Sequence, residues 1–294
     1  MGKDVTKMDT CNTSLAAEQE NTISERRKLF ETQGYVVCRD LVSIDLIDKL
    51  ISLYKKQIAP SKEPFLRQMT NKFEPNELNE FGYVKQDFLD VHNYEKFPDF
   101  SSAVKEVICS NEIQNVLKQL TGKDAFNWMQ SLLFDLNRET IPHHDSYYLD
   151  TVPGGGSVAV WIALEDINEK AGRFYLIPNS EDAAIHDLPH PLWLGKMQEY
   201  FAANQDKVHA PALNKGDAIF WRSRIVHGAF PIVDPSLSRK SLTSHFVPSD
   251  SKYGNLFYSK NYLELGTYKG VKMYSATPPN SKEWTIIGDY KVGQ

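Results

Sequence analysis

A chain of 294 residues that is 41% hydrophobic and 24% charged holds enough apolar material for a sizeable core, and its composition excludes collagen-like or wholly disordered classes. Its formal net charge of −5 gives no electrostatic reason to expect nucleic acid, and Arg26-Arg27-Lys28 sits among acids as a solvated helix face does. Three scattered cysteines, Cys11, Cys38 and Cys109, make neither a disulfide framework nor a zinc spacing, and point to a reducing compartment.

No apolar run approaches the ~18 residues of a membrane span. MGKDVT formally fits the loose myristoylation pattern at Gly2, and residues 1–22 carry no apolar secretory segment, so a cytoplasmic location is expected. Residues 1–21 read as a disordered polar tail and 22–294 as a single domain. Within it, 22–122 is a helical and irregular part, 123–250 a β core with an insert at 181–215, and 251–294 a C-terminal extension.

In chain order, a helix is expected over Thr22 to Gln33, closed by Gly34, and GYVVCRDLV then reads as a strand of β-branched residues. Ser43 suits the N-cap of a second helix, whose Ile44, Ile47, Leu50, Ile51 and Tyr54 recur at helical spacing. Residues 59–98 lose periodicity and read as a long, partly stranded excursion. One further helix is expected from about Phe100 to Leu120, ended by Thr121-Gly122. Strands follow at 127–136, 157–164, 172–177, 217–221, 224–229 and 240–247, a spacing that indicates a β-sandwich or barrel. The insert carries a helix near Leu192 to Ala203, and its His186, His190 and His209, lacking carboxylate or Cys partners at ligand spacing, read as solvated loop histidines.

Chemistry concentrates in IPHHDSYY (141–148) and RIVHGAFPIVDPSLSRKS (224–241). On a strand or its edge, His143 and Asp145 point to one side and His144 to the other. With His227 they offer two imidazoles and one carboxylate, which on one face of an octahedron leave three positions open, the site type of non-haem Fe(II) oxygenases. Arg239 and Ser241 share a strand face and present a fork and a hydroxyl suited to a carboxylate end, whereas Lys240 between them reads as a surface residue. That equipment suits iron and 2-oxoglutarate.

The order of MQSLLFDL (129–136), HHDSYY (143–148), VAVWIALEDINEKAGRFYLIPNS (158–180), GDAIFWRSRIVHGAF (216–230) and SRKSLTSHFVP (238–248) resembles the phytanoyl-CoA dioxygenase family of Fe(II)/2-oxoglutarate oxygenases over roughly residues 25 to 250. Asn179-Ser180-Glu181 departs from that family's Gly-Ser-His run. The resemblance implies a double-stranded β-helix, a jelly roll with flanking helices, and a metal triad of His143, Asp145 and His227. It also implies 2-oxoglutarate held by Arg239 and Ser241, with Gln130 and Trp161 lining its pocket. Tyr83, Tyr147, Tyr148, Arg222 and Phe230 are candidate substrate contacts. The activity so implied is oxidation of a C–H bond of a small organic substrate by O2 with release of succinate and CO2, stimulated by ascorbate, in a monomer or homodimer with no nucleic-acid partner. The competing classes are a catalytically silent binding or sensor module, and a cupin-like isomerase that would leave Arg239 and Ser241 without a task.

Overall fold

Along the central strands apolar side chains occupy positions of both parities, which commits the sheet to burial on both faces. The computed structural model describes residues 23–137, 140–181, 192–253 and 262–276. Helix α1 (Ile23–Gln33) leads into strand β1 (Tyr35–Cys38) and helix α2 (Ile44–Leu53), which runs on into a wider turn over Tyr54–Ile58. The excursion carries only the short strands β2 (Phe65–Leu66), β3 (Phe73–Glu74) and β4 (Phe88–Leu89). Helices α3 (Pro98–Ile108) and α4 (Asn111–Thr121) precede β5 (Phe126–Phe134), β6 (Thr140–His143), β7 (Thr151–Val152), β8 (Val158–Ala163) and β9 (Phe174–Leu176). After helix α5 (Leu192–Ala203) come β10 (Ala218–Arg222), β11 (His227–Ala229), β12 (Ser241–Pro248), β13 (Lys252–Tyr253) and the hairpin β14 (Tyr262–Tyr268) with β15 (Val271–Ala276).

An eight-stranded mixed sheet has the order β1-β10-β8-β12-β5-β15-β14, with β4 added to β5, and a three-stranded sheet has the order β6-β11-β9. On one face of the large sheet, Val36, Val160, Ile162, Phe220, Leu242 and Phe246 share a core with Leu50, Val104, Ile113 and Leu117 of the helices. On the other, Ala159, Trp161, Ile219 and Trp221 pack with Phe174 and Leu176 of the small sheet. The large sheet thus lies between helices and small sheet, and every second residue of its central strands faces the small sheet. Among the described residues the hydrogen bonding forms separate sheets and does not close a barrel.

Two expectations, the single helix near 100–120 and the exposed Lys240, are corrected. The single helix near 100–120 is two, because the chain leaves helical geometry at Cys109 and Ser110 caps a new helix by accepting the Ile113 N–H at 3.4 Å. The segment before the HHD triplet is a strand in its own right, β6, and the C-terminal extension contributes the β14–β15 hairpin to the large sheet. Lys240 is buried, its ammonium 3.1 Å from Asp135 and 3.4 Å from Glu165, rather than a surface residue. Residues 1–21, His186 and His190 lie outside the described residues.

His92 fastens the excursion and that hairpin to the sheet: its Nδ1 pairs with Ser131 Oγ at 2.6 Å and its Nε2 donates to the Tyr274 carbonyl at 2.7 Å. Fully buried, it is pulled down from 6.5 to about 4, burial being the main cause. The unfolded chain therefore binds the extra proton first, so this contribution to stability is intact above about pH 6.5 and lost as pH falls toward 4. Unfolding free energies from urea titrations at pH 7 and pH 4.5 should show a drop of which His92 supplies about 2 kcal/mol. His92→Gln should flatten that slope, and an unchanged slope would contradict the assignment.

Candidate active site

Strands β6 and β11 pair antiparallel with His143 directly opposite His227, and the ring centroids lie 4.2 Å apart. The Nδ1 of each ring donates to a backbone carbonyl two residues earlier, Ile141 for His143 and Ile225 for His227, both at 2.9 Å. A carbonyl only accepts, so each Nδ1 carries the proton and each Nε2 keeps a lone pair for an electrophile. Asp145 opens a tight turn, its carbonyl accepting the N–H groups of Tyr148 and Leu149 at 2.8 Å. Its Oδ1 lies 3.9 Å from His143 Nε2 and 3.6 Å from His227 Nε2. One ligand atom from each of the three lies within 4.8 Å of the others, near enough to share an ion.

Burial alone would raise the Asp145 carboxyl, but His227, His245 and His143 outweigh it and hold the group well below the usual carboxylate range. Burial also pulls His227 down to about 4, against the pull of Asp145, so at neutral pH it is the uncharged imidazole that a metal needs. Phe174 and Trp221 wall His227 at ring separations of 5.5 and 5.0 Å. The side chain of His143 keeps 20% of its surface exposed against 5% for His227, so the cluster opens to solvent past His143.

His144 turns the other way. It is fully buried, with Nδ1 on Ser146 Oγ at 2.6 Å and Nε2 accepting the Trp193 indole N–H at 2.7 Å, so both its ring nitrogens are committed. Tyr147 stacks on Trp193 at 4.5 Å and Tyr148 meets the same ring edge-on at 5.8 Å, which places both tyrosines beside the ligand turn.

Arg239 lies on the face toward the small sheet, 3% exposed, its guanidinium 5.9 Å from the Phe134 ring and 5.7 Å from the Trp161 ring. Among the described residues its Nε and Nη1, and Ser241 Oγ, have no hydrogen-bond partner. Burial draws the guanidinium down to about 9, still protonated at neutral pH. A buried cation without a counter-charge is costly unless a ligand supplies one, and the paired donors fit a carboxylate. Gln130 sits opposite His245 across β5 and β12, buried, with its Nε2 likewise unpartnered.

The remaining candidates are dispersed. Arg222 faces α1, over the Phe30 ring at 5.0 Å and paired with Glu181 at 3.1 Å, away from the triad. Tyr83 lies under Lys240, on the helix side of β12, with the ammonium 4.7 Å from its ring. Phe230 packs on Tyr175 at 4.8 Å. His209 is no free loop histidine, since its Nδ1 meets Tyr35 Oη at 2.6 Å. Two residues went unread in the sequence: Trp221 Nε1 donates to Asp145 Oδ2 at 2.9 Å, and His245 Nε2 stands 3.4 Å from that oxygen. The alternation that pairs Arg239 with Ser241 continues to Thr243 and His245 and was the available signal.

The family profile of phytanoyl-CoA dioxygenase matches residues 30–241. The chain is 23% identical over 251 residues to the peroxisomal phytanoyl-CoA dioxygenase of Bos taurus, covering 80% of this chain and 72% of that one. It is 26% identical over 230 residues to phytanoyl-CoA dioxygenase domain-containing protein 1 of Danio rerio, covering 74% and 70%. Among solved structures, the non-heme alpha ketoglutarate dependent epimerase SnoN from nogalamycin biosynthesis superposes with a TM-score of 0.56 at 16% identity, over 90% of this chain and 98% of that one. EctD from S. alaskensis with 2-oxoglutarate and 5-hydroxyectoine superposes with a TM-score of 0.57 at 15% identity, over 84% of each. At these identities the structural likeness is one of fold. The relatives from Bos taurus, Rattus norvegicus and Mus musculus are peroxisomal, which overturns the expected cytoplasmic location. With a profile match over most of its length and two imidazoles facing one carboxylate, the chain belongs to the phytanoyl-CoA dioxygenase family and is an Fe(II)/2-oxoglutarate-dependent oxygenase.

Proposed function

We propose that this oxygenase removes a hydrogen atom from a C–H bond of a small organic molecule, the step shared by hydroxylation, cyclisation and desaturation. The observation that carries the reading is the pairing of a three-ligand cluster with a buried guanidinium whose Nε and Nη1 have no partner among the described residues, on the same side of the large sheet. His143 Nε2, Asp145 Oδ1 and His227 Nε2 would hold the ferrous ion, and Arg239 with Ser241 the far carboxylate of 2-oxoglutarate. When bound, ion and cosubstrate supply the oxidant, O2 being consumed and 2-oxoglutarate leaving as succinate and CO2.

The chain's own part is placement and exclusion. Backbone carbonyls fix both imidazoles in the metal-binding tautomer. Trp161 and Phe134 flank the guanidinium and keep water from competing for it, which strengthens its grip on a carboxylate. Gln130 would add an amide donor to the same pocket. Substrate enters on the exposed side of His143, where Tyr148, beside the ligand turn, offers an aromatic wall. Arg222, over the Phe30 ring, and Tyr83, against Lys240, are left out of the substrate contacts in this reading. The two facing sheets are read as an open double-stranded β-helix, a reading supported by the contact of Trp161 with Phe174 across them at 5.9 Å.

Succinate release from 2-oxoglutarate in air, with Fe(II) and ascorbate as stimulant, tests the activity. Asp145→Ala should abolish it, and wild-type turnover in that variant would remove Asp145 from the ligand set. Arg239→Ala should raise the 2-oxoglutarate requirement about 10- to 100-fold while leaving metal binding intact. An unchanged requirement would place the cosubstrate elsewhere. Binding of 2-oxoglutarate without any turnover would favour the silent binding module.

A further inference from the structure

The two oxygens of Asp145 meet different surroundings. Oδ1 faces the Nε2 atoms of His143 and His227, at 3.9 and 3.6 Å. Oδ2 accepts the Trp221 indole N–H at 2.9 Å and lies 3.4 Å from His245 Nε2. Trp221 is 1% exposed and His245 6%, so bulk water does not substitute for either donor. Among the described residues His245 Nδ1 has no hydrogen-bond partner, which leaves Asp145 as the polar group that orients the ring. The donors come from β10 and β12, the strands on either side of β8, both aimed at the face toward the small sheet.

A carboxylate binds an octahedral ion through one oxygen or chelates it through both. Two imidazoles and one carboxylate oxygen leave three positions free, whereas chelation leaves two, and a two-toothed cosubstrate together with dioxygen needs three. We propose that Trp221 and His245 are positioning residues that hold Oδ2 away from the metal, so that Asp145 offers Oδ1 alone and three adjacent positions stay open. This rests on the metal and cosubstrate site proposed above. It assigns tasks to an indole N–H and an imidazole that the triad and the carboxylate clamp leave unexplained.

Trp221→Phe suits the test because a phenyl ring keeps the packing on Phe174 and His227, at 5.1 and 5.0 Å, and loses only the N–H. His245→Leu removes the second donor, and His245→Gln returns an N–H to its place. Each protein is titrated anaerobically with Co(II) and then with 2-oxoglutarate, read by the visible absorption of the metal and by calorimetry. Trp221→Phe and His245→Leu should bind Co(II) with near wild-type affinity, show an altered metal spectrum, and lose about 10- to 100-fold in 2-oxoglutarate affinity. His245→Gln should recover much of that loss. Wild-type spectrum and 2-oxoglutarate affinity in the Trp221→Phe/His245→Leu double variant would overturn the proposal. So would loss of Co(II) binding in Trp221→Phe, which would assign the indole to building the site rather than to the choice of oxygen. Wild-type protein that binds neither Co(II) nor 2-oxoglutarate would instead contradict the underlying site reading, and this inference with it.

Discussion

The pairing of β6 with β11 governs this molecule, because it sets His143 opposite His227 and so fixes where two of three ligand atoms lie. Neighbouring antiparallel strands hold opposed Cα atoms about 5 Å apart, a spacing rigid enough to aim two imidazoles at one point without help from the third ligand. Gly228, next to His227, is part of that fit: a Cβ there would stand 2.4 Å from Tyr175 Oη and 2.6 Å from the Thr140 carbonyl, so any side chain would push the two strands apart. Asp145 needs no strand of its own, since the turn it opens returns its carboxylate to the same side.

The large sheet supplies the rest by parity. Along β12, Ser241, Thr243 and His245 look toward the small sheet, while Leu242 and Phe246 are buried under the helices. One strand thus serves two purposes, anchoring the core with one set of residues and lining the site with the other. Arg239 precedes that strand, and its neighbour Lys240 points the opposite way into Asp135 and Glu165. Two adjacent cations are therefore buried on opposite sides, one neutralised by protein carboxylates and the other with its Nε and Nη1 unpartnered among the described residues. Lys240 and Glu165 also brace the start of β12, since Glu165 accepts the Lys240 backbone N–H at 2.7 Å.

Much of this was legible from the residues. Alternation about HHD separates His143 and Asp145 from His144, and in the structure the first two face His227 while the third faces Trp193. The helix–strand–helix start and the strands flanking the site follow from apolar periodicity. Lys240 defeats such reading, because a lone Lys carries no local sign of distant acids that will bury it. The break at Cys109-Ser110 had a signal that went unused: on one continuous helix Val104, Val107 and Ile108 would face one side and Ile113, Val116, Leu117 and Leu120 the opposite side. His245 and Trp221 escaped notice because their partner is Asp145, far away in sequence, and only the fold brings the three together. Location was misjudged because a polar stretch at residues 1–22 says nothing about addresses carried by other signals.

The central claim is that one ion sits among His143 Nε2, Asp145 Oδ1 and His227 Nε2. A crystal grown anaerobically with Fe(II) and measured at the iron absorption edge tests it most directly. A single anomalous peak at bonding distance from those three atoms, with density for 2-oxoglutarate running from it to Arg239, is the result expected. Iron bound elsewhere, or contacted through His144, would contradict the account.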